Sequence, residues 1–171
     1  VVSLPTTGTI TQIGGNMRQF AFALVDNGEL WTWGQNSNGA CGVGSVVVVP
    51  LPVLAATGVT DVYDHPSNGG VSRTQSRLVI KKTDGYLYGA GYNATNGALG
   101  LGNLTNQNTF VQLTALGNSI KSAWNMGATN GCLIVQKGDG TIWAAGYNIN
   151  GELGDGTILT KTTHVDVTTA W

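Results

Sequence analysis

The feature that most constrains this chain is a threefold recurrence. The segment Leu24-Val25-Asp26-Asn27-Gly28-Glu29-Leu30-Trp31-Thr32-Trp33-Gly34-Gln35-Asn36 is followed by Gly39, Gly42 and Gly44. It returns as Asp84-Gly85-Tyr86-Leu87-Tyr88-Gly89-Ala90-Gly91-Tyr92-Asn93 with Gly97, Gly100 and Gly102, and again as Asp139-Gly140-Thr141-Ile142-Trp143-Ala144-Ala145-Gly146-Tyr147-Asn148 with Gly151, Gly154 and Gly156. The turn glycines Gly28, Gly85 and Gly140 lie 57 and 55 positions apart, and Gly34, Gly91 and Gly146 keep the same intervals. A period of this length marks one supersecondary unit that buries its apolar face by stacking on copies of itself.

Each unit reads as short β-strands. An Asn-Gly or Asp-Gly pair between β-rich runs, such as residues 20–24 and 30–33, is the signature of a hairpin whose turn needs a positive φ. The Gly-x-x-Gly-x-Gly run that follows lets the backbone turn sharply or approach another strand closely. A third strand is expected around residues 46–49, with Pro50 and Pro52 at its end, and around 110–113 and 164–167 in the other copies. A last strand in each unit is expected at 10–13, 59–62 and 120–123. Four short strands per unit, with Trp31, Tyr88 or Trp143 in each copy, predict an all-β fold of β-propeller type. A parallel β-helix is the rival, but its coils are shorter and need no hairpin turn. The whole chain, residues 1–171, is expected to be a single propeller segment with repeats at about 1–53, 54–111 and 112–167.

Charge and composition then narrow the function. Eight Lys and Arg against 9 Asp and Glu give a formal net charge of −1, so no basic field is available for nucleic acid and no acidic tail is present. Only 10% of residues are charged while 26 are glycine, and Thr, Asn, Ser and Gln supply the polar surface. That composition leads us to expect an extracellular or virion surface. Cys41 and Cys132 form no framework or C-x-x-C motif and read as small buried hydrophobes. No apolar run approaches the roughly 20 residues that cross a bilayer, so membrane insertion is not expected. The opening Val1-Val2-Ser3-Leu4-Pro5 has neither an initiator Met nor a charged signal head, which reads as a mature product or an excerpt.

The string aliphatic-x-x-Asp-Gly, aliphatic-aromatic, x-Gly-x-Asn, Gly-x-Leu-Gly-x-Gly resembles the repeat of the regulator of chromosome condensation family across nearly the whole chain. Gly151-Glu152-Leu153-Gly154-Asp155-Gly156 after Tyr147-Asn148 fits that pattern most fully. The resemblance implies a closed propeller, seven-bladed in the best-known members, that serves mainly as a platform for protein partners. Where the family has a His before the hairpin this chain has Phe20, Ser76 and Gly131, and where it has a Gln in the glycine run this chain has Ala40, Ala98 and Glu152. Three blades are too few to close a ring, and the chain enters and leaves the repeat in the same phase. Two arrangements satisfy this: further blades of a longer chain, or a homo-oligomer, with two chains making six blades.

Catalytic and metal chemistry find little footing. His65 and His164 lack a His, Cys or carboxylate partner at ligand spacing. The cluster Asp61-Val62-Tyr63-Asp64-His65 has no nucleophile or paired carboxylate beside it. Gly138-Asp139-Gly140-Thr141 and Gly154-Asp155-Gly156-Thr157 lack the ligand series of a calcium loop, and no Lys-Ser or Lys-Thr closes the glycine runs as a phosphate loop would. Asn93-Ala94-Thr95 and Asn103-Leu104-Thr105 satisfy the glycosylation sequon, though Asn93 is the repeat Asn, for which a turn role fits better. We expect no cofactor, no metal site and no enzyme activity.

The binding candidates are positional. Tyr92 and Tyr147, with Gln35 in the first copy, follow the strand-ending glycine and present amphipathic side chains on one rim, paired with Asn36, Asn93 and Asn148. Residues 64–77, rich in Ser and Gly, form the longest irregular stretch and add Arg73 and Arg77 as candidates for a copy-specific binding loop. The expected function is a non-catalytic recognition or structural module on a secreted or virion surface, such as a phage tail or receptor-binding component, with protein or surface glycan as partner. The alternative is a soluble propeller that regulates or inhibits a secreted hydrolase or a small GTPase.

Overall fold

The computed structural model describes residues 4–15, 20–64, 76–126 and 131–168. The Asp-Gly and Asn-Gly pairs make the hairpins that the sequence predicts. Gly28, Gly85 and Gly140 adopt φ of 82°, 82° and 90°, a region that side chains disfavour, and no non-glycine residue among those described has positive φ. The preceding Asn or Asp completes each turn. Asn27 Oδ1 accepts the Glu29 N–H at 3.0 Å, Asp84 Oδ1 that of Tyr86 at 3.0 Å, and Asp139 Oδ1 that of Thr141 at 2.9 Å.

Twelve strands follow in chain order: β1 (Ile10–Gly15), β2 (Phe20–Val25), β3 (Leu30–Gly34), β4 (Val49–Ala56), β5 (Val59–Tyr63), β6 (Arg77–Lys82), β7 (Leu87–Gly91), β8 (Gln107–Gln112), β9 (Ile120–Met126), β10 (Cys132–Lys137), β11 (Ile142–Gly146) and β12 (Lys161–Asp166). They form three antiparallel four-stranded sheets, β1 to β4, β5 to β8 and β9 to β12, each in sequential order. These are three blades of a β-propeller, with β1, β5 and β9 as inner edges and β4, β8 and β12 as outer edges.

Two details correct the sequence reading. The strand expected to end each unit instead opens a sheet, because Ile13 pairs with Ala23, Val62 with Ile80 and Ala123 with Val135, each in the hairpin that follows. The third strand, expected at residues 46–49, runs from Val49 to Ala56 and contains both prolines. Pro50 and Pro52 are tolerated because β4 is an outer edge, where a missing N–H costs no ladder bond on the open side. In the other copies this strand likewise begins earlier than expected, at Gln107 and Lys161.

Alternation along each strand divides the side chains between two blade faces. Phe20, Phe22 and Leu24 of blade 1 pack with Val62, Leu78 and Ile80 of blade 2. Val79, Leu87 and Leu99 of blade 2 pack with Ala123, Leu133 and Val135 of blade 3. A smaller cluster of Cys132, Ala144, Leu153 and Val167 covers the far face of blade 3. Each fully buried Leu, Ile or Phe contributes roughly 1.5–3 kcal/mol of transfer free energy, so the two joints carry most of the apolar stabilisation. Cys41 and Cys132 are free, buried thiols, and burial pushes the Cys41 thiol up to about 11.

Candidate functional site

The glycine loops between the third and fourth strands of each blade share one plan. Asn36 Oδ1 accepts the Cys41 N–H at 2.8 Å while its Nδ2 donates to Ser45 O at 2.8 Å. Asn93 does the same with Leu99 N–H at 2.9 Å and Asn103 O at 2.9 Å. Asn148 accepts from Leu153 N–H at 2.9 Å and donates to Thr157 O and Leu159 O, both at 3.1 Å. All three asparagines are buried. The repeat Asn is therefore the clamp that folds the loop, and its carboxamide is not offered to a partner as the rim reading required.

The residue before each Asn stays accessible. Gln35 is exposed, and Tyr92 and Tyr147 are half-buried. The Tyr92 and Tyr147 backbones are pinned by N–H donation to Ser76 O at 2.8 Å and Gly131 O at 3.2 Å. The Tyr92 hydroxyl is hydrogen-bonded to Thr95. Three equivalent side chains thus stand on one end of the blades, opposite the hairpin tips, on loops held rigid from below.

Arg77 occupies a different place from the one expected. It opens β6, buried, and its guanidinium crosses to blade 3. Nε donates to Asn125 Oδ1 at 2.6 Å, and one terminal nitrogen donates to Met126 O at 2.7 Å and Cys132 O at 3.2 Å. Asn125 returns a bond from Nδ2 to Arg77 O at 3.2 Å. Burial lowers the Arg77 pKa to about 10, which leaves it charged at neutral pH. Arg77 is a joint between blades, not part of a surface loop. Arg73 and His65 lie outside the described residues.

Neighbouring blades also meet through the glycine loops. Gly44 N–H donates to Asn108 O and Gly102 N–H to Thr162 O, both at 2.8 Å. Val43 bridges Thr109 and Leu101 bridges Thr163 as isolated β-pairs. The ring of Phe110 lies against Gly42, and that of His164 against Gly100, so closely that a Cβ on either glycine would overlap it.

At the inner edge a hollow of about 580 Å³ opens between β1, β5 and β9, with Gly14, Tyr63, Asp64, Trp124 and Asn125 in its wall. Asp64 Oδ2 accepts the Gly15 N–H at 2.8 Å across the first joint. Neither Asp64 nor Asn125 is identifiable as an inter-blade contact from sequence without the alignment of strand registers that the sheets supply. In the third loop, burial works to raise the Asp155 pKa, but hydrogen bonds from Thr157 and Asn148 and the Lys161 ammonium at 3.3 Å outweigh it and hold the group at about 2. Among the described residues no three His, Cys, Asp or Glu side chains converge as a metal cluster.

This blade plan has known counterparts. Residues 27–63 match the Regulator of chromosome condensation (RCC1) repeat, and residues 10–40 match a second description of the same repeat. The chain contains RCC1 repeats. A curated relative, Protein RCC2 homolog of Xenopus laevis, is 29% identical over 91 residues, which is 53% of this chain and 17% of that protein. Human WBSCR16 superposes with a TM-score of 0.73 at 22% identity, covering 94% of this chain and 38% of that one. Prp20p of Saccharomyces cerevisiae, described with its binding to Gsp1p and histones, superposes at 0.73 with 18% identity, covering 92% of this chain and 38% of its own. The chain spans less than half the length of each of these RCC1-repeat relatives, and the structural likeness is one of fold.

Proposed function

We propose that this chain is a non-catalytic protein-binding module of a β-propeller, and that its contact surface is the rim bearing Gln35, Tyr92 and Tyr147. The observation that carries this reading is their placement. Three blades present a side chain at the same position, above a loop whose buried asparagine satisfies both ends of its carboxamide. A rigid loop loses little entropy on association, and tyrosine brings apolar area with a hydrogen-bonding tip. The net charge of −1 favours a partner recognised by shape and neutral hydrogen bonding over a polyanion.

The finer reading, a recognition component on an extracellular or virion surface that binds protein or glycan, is supported by the low charge and the Thr, Asn and Gly enrichment. A second reading, regulation of a small GTPase, is supported by the fold shared with Prp20p, which is described as binding Gsp1p.

The test is interferometry with the immobilised chain against purified small GTPases in one arm and an array of cell-envelope glycans in another. The double variant Tyr92→Ala/Tyr147→Ala serves as control. Saturable binding that falls at least tenfold in the double variant, with unchanged circular dichroism, supports the rim, and the arm that responds names the partner class. Binding that the two substitutions leave intact removes the rim, and no binding in either arm removes the reading.

A further inference from the structure

The two internal joints show which residues a blade uses to receive its neighbour. On the inner strand the backward-facing position is Val62 in β5 and Ala123 in β9, buried at 7% and 8% exposure. The residue in the same register of β1, by its pairing with Ala23, is Ile13, and it is 74% exposed. The forward-facing position is Tyr63 in blade 2, packed into the second joint, and Trp124 in blade 3, 58% exposed. A large apolar residue therefore stands bare on each open flank, at the two register positions that are covered where blades meet.

The outer edge repeats the pattern. A Cβ at Gly39 or Gly97 would strike the backbone of Asn108 or Thr162 in the next blade, whereas at Gly151 or Gly156 it would meet nothing within 4 Å. The third glycine loop is thus an unfilled seat for an outer strand. By register with Gly34 and Gly91, the blade 1 residues equivalent to Asn108, Thr109 and Phe110 are Pro50, Leu51 and Pro52. The seat takes a carbonyl from the first of these positions, which proline retains. It takes a compact ring at the third, which Pro52 supplies. Leu51, at the bridging position, is 69% exposed.

We infer that the open forward flank of blade 3 receives the backward flank of blade 1 from a second copy of this chain. The backward faces of blades 2 and 3 carry Leu78, Ile80, Leu133 and Val135, while blade 1 carries Ala21 and Ala23 in the same registers. Small residues there leave room for Trp124, which is bulkier than its counterpart Tyr63. The contact is head-to-tail, so two copies make two identical joints and close a ring if the rotation permits. Six blades fall within the four to eight of closed propellers.

Light scattering of the 171-residue chain over a hundredfold concentration range tests this, with Trp124→Gln on one flank and Leu51→Asp on the other. The wild-type chain is expected at twice the chain mass. Each single variant is expected at the chain mass, with an unchanged circular dichroism spectrum because both side chains are solvent-exposed in the isolated chain. An equimolar mixture of the two variants regains one undamaged joint and returns to the dimer, which a symmetric contact through either patch alone would not do. A wild-type chain that stays monomeric at every concentration overturns the inference. So does a dimer that survives both substitutions, or a mixture that fails to reassociate.

Discussion

The imidazole of His164 lies flat against Gly100, filling in the joint between blades 2 and 3 the place that Phe110 fills against Gly42 in the joint before it. A titratable ring has replaced a hydrocarbon one. Neither of its nitrogens has a hydrogen-bond partner among the described residues, and burial pushes its pKa down to about 4, offset only slightly by the Gly100 backbone.

Acid should therefore loosen this joint. A His whose folded pKa lies below its unfolded value of about 6.5 binds its proton more readily in the unfolded chain, so stability is complete above that value and falls as the pH drops toward 4. The loss across that window is on the order of 3 kcal/mol. Urea unfolding of His164→Phe should be flat over the same range and at least as stable as wild type at neutral pH. A wild-type profile without an acid slope, or a slope that persists in the variant, contradicts this account.

Gly100 and Gly156 separate two costs of losing a glycine. Both have positive φ, 67° and 74°, so alanine strains the backbone at either. Only at Gly100 does the new methyl also strike a neighbour. Gly100→Ala should cost about 3 kcal/mol or more and Gly156→Ala about 1, compared by thermal melts of the two variants.

Arg77→Met should cost about 3 kcal/mol, because it strands the Met126 and Cys132 carbonyls and Asn125 Oδ1 without the donors that satisfy them. Arg77→Lys should recover less than half of the loss, since an ammonium cannot reach acceptors in the directions of a guanidinium fork. Chemical denaturation of the three proteins measures both numbers.

Asn148→Ala and Gln35→Ala test whether the repeat Asn is a clamp. The first removes an acceptor for Leu153 N–H and a donor to two carbonyls inside the third loop. It should cost about 2–3 kcal/mol. The second truncates an exposed side chain and should stay within about 0.5 kcal/mol. Equal effects in a urea titration would return Asn148 to the surface.

The repeats carried their architecture in one dimension because hairpin turns and glycine loops are local. Asp-Gly specifies a turn wherever it stands between β-rich runs. What the spacing left open was the direction in which a side chain points. Asn36, Asn93 and Asn148 recur as a contact residue and a clamp residue would alike, and only the bond from each to an N–H five or six residues on decides between them. Arg77 looked like the end of a polar loop. Its register tells otherwise, since Phe20 and Cys132 hold the same position in the other blades and both are buried. The proline-bearing β4 was displaced for a similar reason, because whether a strand is an edge is a property of the sheet.

The two joints are made of different materials. The first packs Phe20, Phe22 and Leu24 against Leu78 and Ile80, whereas the second adds the Arg77 guanidinium and the Lys81 ammonium, which donates to Ile120 O at 2.9 Å. Hydrophobic attraction fades on cooling, while hydrogen bonds from a fixed cation do not share that decline. Cold thus bears hardest on the hinge between blades 1 and 2, and acid on the one between blades 2 and 3. The same short array has two seams that part under opposite kinds of weather.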